Sequence, residues 1–465
     1  MKRTRHLLSV CFLTSLAGVL AACAGGSSNS NPNNNPPLVP SGNVAVYGQD
    51  APLAGVVTCQ LTLMSLTGSD GVNTTTLLSA PQTVDFARLT GLQTLLDLNS
   101  APVGSYTSVT LTLANPVIGY LNVSGNAPPT ITMLNGTLTN TTVTVLLNPP
   151  LVIAADDLNG LRVDFDMRQS LQLDLNGQIT GTVVPNFDIH QIAPDNAQGE
   201  VDDLRGGVIS VDAANNTFIM QIPNGKQLTV EVGPSTVTDS ADSLSTYTTN
   251  TIVEVSGELN RVTEMLEADE VTVISTDHFY ADGLITNVQP SSGPATQIQL
   301  FVRDTLPSLP SVQPDTIASF SLNGTEKYLI YRLNLPITEL LFNNSSLIVP
   351  QAISVGGPVS NSTPTVHRVV LYRQGVLGPW VPGSTMVQSG NAGTFQMHEQ
   401  GIVGLLQGNS LTVLTSNNTQ FNGLSGLSAL SGSQAIPLHV VGLLLENPGT
   451  NPPTPVFVAN RVSTP

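Results

Sequence analysis

Short runs of alternating apolar and polar residues, cut by Gly, Pro and Asn, recur along this chain and constrain its fold more than any other feature. In "YTSVTLTL" (Tyr106 to Leu113), Val109, Leu111 and Leu113 share one face, while Ser108, Thr110 and Thr112 share the other. "TTVTVLL" (Thr141 to Leu147) repeats the pattern with Val143, Val145 and Leu147. Side chains alternate across a strand with period two, so such runs specify half-buried antiparallel strands, and many in series specify sandwiches or barrels. Only 10% of the 465 residues are Asp, Glu, Lys or Arg, and Gly (40) and Pro (33) are abundant. Ser, Thr, Asn and Gln must therefore supply the polar surface, and long helices lack their usual residues. The expected class is all-β, in several domains given the length.

The formal net charge of −17 argues against nucleic acid as a partner, because phosphate binding needs clustered Lys and Arg. Neither a G-x-x-x-x-G-K-S/T loop nor a strand-borne G-x-G-x-x-G occurs, so no nucleotide is expected. His190, His278, His367, His398 and His439 are scattered, with no H-E-x-x-H or Cys-x-x-Cys, and no metal or other cofactor is expected. "DLNG" stands at Asp157 to Gly160 and again at Asp174 to Gly177. Neither stretch continues as an EF-hand loop, and Asx-Gly is hairpin-turn chemistry. No G-x-S-x-G elbow is present, and no catalytic residue is assigned. The cysteines are Cys11, Cys23 and Cys59; a disulfide framework is excluded, and Cys59 reads as a small buried thiol.

The densest charge lies in "LRVDFDMRQ", Leu161 to Gln169. As one strand, it sends Leu161, Val163, Phe165 and Met167 inward and Arg162, Asp164, Asp166 and Arg168 outward. Same-face neighbours are then ~7 Å apart. The Arg-Asp-Asp-Arg row offsets its own charge on a wet sheet face and needs no ligand. A glycosidase carboxylate pair would call for an aromatic-lined cleft, and Phe165 points the other way.

Lys2, Arg3 and Arg5 precede a largely apolar segment, Leu7 to Leu20, too short for a comfortable membrane span. It ends in "LAAC", Leu20 to Cys23. This resembles the lipobox of bacterial lipoproteins, which implies a signal peptide over 1–22 and lipid on Cys23. Residues 23–41, rich in Asn, Pro and Ser, read as a flexible spacer. Ala24 follows the cysteine where the inner-membrane retention pattern has Asp, which implies delivery to the outer membrane.

"GNVAVYGQDAPLAGV" (Gly42 to Val56), "VDFARLTG" (Val84 to Gly91), "APVGSYTSVTLTL" (Ala101 to Leu113) and "VDFDMRQS" (Val163 to Ser170) follow in order. They resemble a bacterial lipoprotein domain of unknown function with a transthyretin-like β-sandwich, here over 42–192. Downstream, "GEVDDLRGGVISVD", "DGLITNVQP" and "QGIVGLLQGNSLTVL" each place a Gly-x-Val/Ile before an expected strand, at Gly199, Gly283 and Gly401. The closing patterns "VEVSGEL…EADEVTVI", "ISVGGPV…TVHRVVLY" and "HVVGLLL…VANRVST" also recur. These units resemble small OB-like barrel domains, also of unknown function. They are expected at 197–275, 279–374 and 393–465, the last two degenerate, with a boundary at the polar "APDNAQ" (193–198).

The combined expectation is a lipid-anchored envelope protein with a non-catalytic binding or structural role, meeting an envelope protein or polysaccharide. An envelope hydrolase with a site assembled between β-modules is the alternative.

Overall fold

The computed structural model describes residues 40–122, 129–195, 199–238, 244–249, 251–274, 279–306, 309–330, 342–447 and 454–464. Cys23 and His278 lie outside them. The described chain is almost entirely strand, so the class is all-β. The principal strands of the first module are β1 (Ser41–Ala51), β2 (Val56–Ser69), β3 (Thr94–Pro102), β4 (Gly104–Asn122), β5 (Thr142–Ile153), β6 (Leu158–Asp166) and β7 (Phe187–Ile192). They form two sheets. One has the order β7-β6-β1-β3, with β1 and β6 parallel; the other is built on β2 and β4, with β5 paired to β4.

Alternation does the work expected of it. Val44 and Val46 of β1 and Val163 and Phe165 of β6 meet Leu61, Leu63, Val109 and Leu111 of the facing sheet in one core. Phe165 sits between Phe86 and Phe187, with ring centroids 5.1 and 5.0 Å away. Cys59 is a free, buried thiol on β2.

The next strands are β8 (Glu200–Asp212), β9 (Thr217–Gln221), β10 (Gln227–Thr238), β11 (Ile252–Leu259) and β12 (Leu266–Ile274), which close a barrel. The first strand pairs with the second and the fourth, and the fifth runs parallel to the third. The same pairing scheme recurs twice. In the second module, β13 (Phe279–Gln289) pairs with β14 (Gln297–Leu306) and with β17 (Ala352–Gly357). There β15 (Thr316–Ser321) pairs with β14, and β16 (Lys327–Ile330) runs parallel to β18 (Arg368–Leu371). In the third, β19 (Gln374–Pro379) pairs with β23 (Pro437–Asn447), and β20 (Ala392–His398) pairs with β21 (Ser410–Thr415). Both β21 and β22 (Gln420–Asn422) run parallel to β24 (Thr454–Ser463).

The glycine that recurs in the closing patterns has a physical reason. A Cβ on Gly257, Gly357 or Gly442 would lie 2.1, 2.0 or 2.1 Å from a backbone carbonyl oxygen of the neighbouring chain segment. At Gly257 and Gly442 the ladder also shifts register, the mark of a bulge that turns a barrel corner. Gly442→Ala is expected to cost about 1–3 kcal/mol, the usual penalty of forcing an atom into a packed site. Urea denaturation reads it; an unchanged midpoint would show that the corner can yield.

Two start glycines depart from expectation: Gly283 lies inside β13 rather than before it, and Gly401 differs more. Gly401 precedes a helix (Ile402–Gln407), not a strand, because the Glu399 carboxylate accepts hydrogen bonds from the backbone N–H groups of Gly401 and Gly404 and turns the chain there. The first strand of that module is β19, upstream.

The modules do not keep separate cores. Ala45, Tyr47, Leu95 and Ile192, on the outer side of the β1 sheet, pack with Val201, Phe218, Val230 and Leu266 of the closed barrel. Leu443, Leu445, Val456 and Val458 of the third module join the core of the second. Residues 40–465 form one compact unit, so the link at 193–198 joins parts that share apolar surface.

Candidate functional site

The outer face of the β7-β6-β1 sheet changes character along its length. At one end, Ala45, Tyr47 and Ile192 are covered by the closed barrel. Further along, Gln49 stands opposite Asp164, Asp164 opposite Asp188, and Arg162 opposite His190. This is the face expected to be wet and bare. Instead it is the floor of a cleft of about 700 Å³ whose other wall is the third module: Leu377 and Gly378 of β19, Pro437 and His439 of β23, and Arg461 and Ser463 of β24. Sites of this size hold small molecules. No aromatic side chain lines it among the described residues.

The expected four-residue row also ends early. Asp166 is the last residue of β6 and caps a short helix (Met167–Ser170), accepting the Gln169 backbone N–H at 2.9 Å. The side-chain carboxylate outcompetes continuation of the ladder, as capping aspartates do. Arg168 therefore leaves the strand and stands exposed at the rim. The second "DLNG" is a turn: Asp174 accepts the backbone N–H groups of Asn176 and Gln178, both at 2.8 Å. In the first, β6 starts at Leu158, and Asp157 pairs with Arg261 at 2.6 Å.

Asp164 is the electrostatic anomaly of the floor. Its Oδ1 is buried and has no hydrogen-bond partner. Burial pushes its carboxyl up to about 7, against the pull of Arg162 and with a further push from Asp188. Like charges directly opposite on a sheet repel, and Arg162, opposite His190 further along the ladder, attracts both. Arg162 Nε donates to Gln93 Oε1 at 3.0 Å. His190 Nδ1 lies 3.6 Å from Asp188, and burial, aided by Arg162, lowers its pKa. Burial holds His439 down to about 4, so it is neutral at ordinary pH.

Behind the cleft is a second ionic feature that the sequence did not disclose. The Arg373 guanidinium reaches Glu200 at 3.2 Å, Asp202 at 3.3 Å and Ser256 Oγ at 2.9 Å. Arg461 contacts Glu200 and donates to the Gly91 carbonyl at 3.1 Å. Arg88 reaches Asp282 at 3.2 Å. Arg205 reaches Glu254 at 2.9 Å and the Tyr280 hydroxyl at 3.1 Å, and contacts Asp304. Every pair except Arg205–Glu254 joins two different modules. The chain has few cations, yet it spends five of its arginines in this junction: Arg373 and Arg461 are buried, and Arg88, Arg205 and Arg303 are half-buried. The available signal was a charge in the middle of otherwise apolar strands, as in "GEVDDLRGG" and "VANRVST".

Fold and cleft together define an all-β protein of four fused modules with a polar recess between the first and the last. Residues 41–180, which supply most of the sandwich and the β6 floor, match the family described as Domain of unknown function (DUF4382). No curated protein matches the chain significantly. Among solved structures, one titled "drosophila Unr CSD456" is similar at 9% identity and a TM-score of 0.14, over 57% of this chain and 97% of its own.

Proposed function

We propose that this is a lipid-anchored envelope protein whose modules form a non-catalytic binding site at the cleft between sandwich and third module. The carrying observation is the cleft itself: about 700 Å³, walled by two modules and floored by a carboxylate without a hydrogen-bond partner on Oδ1. The two-sheet first module supports the transthyretin-like reading. The strand order 1-2-3-5-4, with the fifth parallel to the third, supports the OB-like reading of the others. The "LAAC" leader supports lipid on Cys23 and an outer-membrane location.

The site is tested by retention of envelope polysaccharide and peptidoglycan fragments on the purified full chain. Ser463→Trp, which fills the cleft from the β24 wall, should abolish retention. Equal retention by that variant would place binding elsewhere. The anchor is tested separately: Cys23→Ala should lose all label from a palmitate analogue while keeping the same melting profile. A wild-type chain that takes up no label would defeat it.

The hydrolase alternative draws on one observation, the Asp164 carboxyl held near neutrality beside Asp188, which is the environment a general acid needs. Release of reducing ends from envelope glycans, lost in Asp164→Asn, would favour it over binding.

A further inference from the structure

We infer that the cleft takes a small ligand carrying a protonated amine, seated on Asp164 between Gln49 and Asp188. This rests on the cleft being a binding site and specifies what fills it. Four carboxylates (Asp164, Asp166, Asp188 and Glu200) line the cleft against three arginines (Arg162, Arg168 and Arg461). The arginines on its two walls already have acceptors within the chain. Arg162 donates to Gln93, and Arg461 contacts Glu200 and donates to Gly91. An anionic ligand on the floor would have to break those bonds, and Arg168 stands exposed at the rim, away from the floor. Asp166 is occupied in the same way, by the backbone and side chain of Gln169.

Asp164 is different. Its Oδ1 is buried without a donor, and on the neighbouring strand stands Asp188, a like charge. A carboxylate without a donor is costly, so what the floor lacks is a donor, and the carboxylate surplus asks that the donor be positive. The other oxygen, Oδ2, is the one with access to the cleft, and it accepts no hydrogen bond from the described residues, so it is the one a ligand would meet. A protonated amine supplies both the hydrogen bond and the charge. A neutral hydroxyl supplies only the first. Side-chain amides from Gln49, Gln169, Asn186, Gln400 and Asn422 around the recess give it acceptors and donors for the ligand's remaining polar groups. Among the described residues no Phe, Tyr or Trp lines the recess, so the stacking platform that a neutral sugar ring would use is missing there.

The test is calorimetric titration of the full chain with glucosamine, spermidine, N-acetylglucosamine and glutamate. Both amines should bind, glucosamine at least tenfold more tightly than its acetylated form, and glutamate should give no heat. Asp164→Asn, nearly isosteric, should weaken amine binding at least tenfold. Asp188→Asn serves as the second variant and should weaken it less. A change in melting temperature of either variant is read separately, so that a folding defect is not taken for a binding one. If N-acetylglucosamine binds as tightly as glucosamine and Asp164→Asn retains it, the cleft remains a binding site and the amine inference is wrong. If neither amine binds while Ser463→Trp abolishes retention of an envelope fragment, the amine inference is again wrong. If neither amine binds and Ser463→Trp leaves retention intact, the binding reading fails with it.

Discussion

Arg373→Met is expected to destabilise the folded chain by about 3–5 kcal/mol, the cost of leaving buried charge without its partner. Three carboxylates surround this guanidinium, Glu200 at 3.2 Å, Asp202 at 3.3 Å and Asp203 at 3.9 Å, and Arg461 also reaches the first two. Methionine fills similar volume, so the loss is electrostatic rather than a cavity. Chemical denaturation should show a lower midpoint, and the deficit should grow with pH, because at low pH the abandoned carboxylates take up protons. A pH-independent deficit under ~1 kcal/mol would mean that water already compensates these groups.

Stability of the unsubstituted protein should be greater near pH 5.5 than at pH 8, by roughly 2–4 kcal/mol. Burial pushes Asp164, Asp202 and Glu270 each up to about 7, opposed by Arg162 in the first and by Arg373 in the other two. Glu254 is also raised by burial, against Arg205. Between pH 4 and 7 the folded chain holds protons that the unfolded chain has released. Stability from these groups is therefore fully present below about pH 4 and lost as pH rises through 7. His439, held down to about 4, and His190, also lowered, work the other way: their contribution is present above about pH 6.5 and lost as pH falls. Four raised carboxyls outweigh two lowered histidines, so the net trend from pH 4 to 7 is a fall in stability. Denaturation midpoints from pH 4.5 to 8.5 check the profile, and Glu270→Gln should flatten its alkaline limb. A profile that rises through pH 8 would show that the junction carboxylates are ionised throughout.

The all-β class was legible because period-two alternation reports a purely local fact, which side of a strand each residue occupies. It placed Leu161, Val163 and Phe165 inward and Arg162, Asp164 and Asp166 outward, and the structure agrees. It could not report what lies on the outer side. That depends on docking of β19, β23 and β24, more than two hundred residues away, and no pattern within β6 encodes it. The same limit hid the junction. Glu200, Asp202 and Arg461 sit in strands where a charge reads as solvent-facing, yet each is buried. The helix after Gly401 was missed for a different reason. Gly-Ile-Val reads as the start of a strand, and only the reach of the preceding Glu399 carboxylate to Gly401 and Gly404 diverts it.

The long reach of Arg461 also sets the order in which the molecule can be completed. Its guanidinium bonds a carbonyl 370 residues earlier in the chain, at Gly91. A ribosome releases the sandwich and the closed barrel well before it makes the strand that neutralises Glu200. Until then, nascent chains carry an acidic patch and a sheet face that are both uncovered and hydrated. Such distant pairings close slowly and leave surfaces open to wrong partners meanwhile. Truncation from the C-terminus should thus unsettle the middle of the protein before its ends, and a holding chaperone would find its binding surface at the junction.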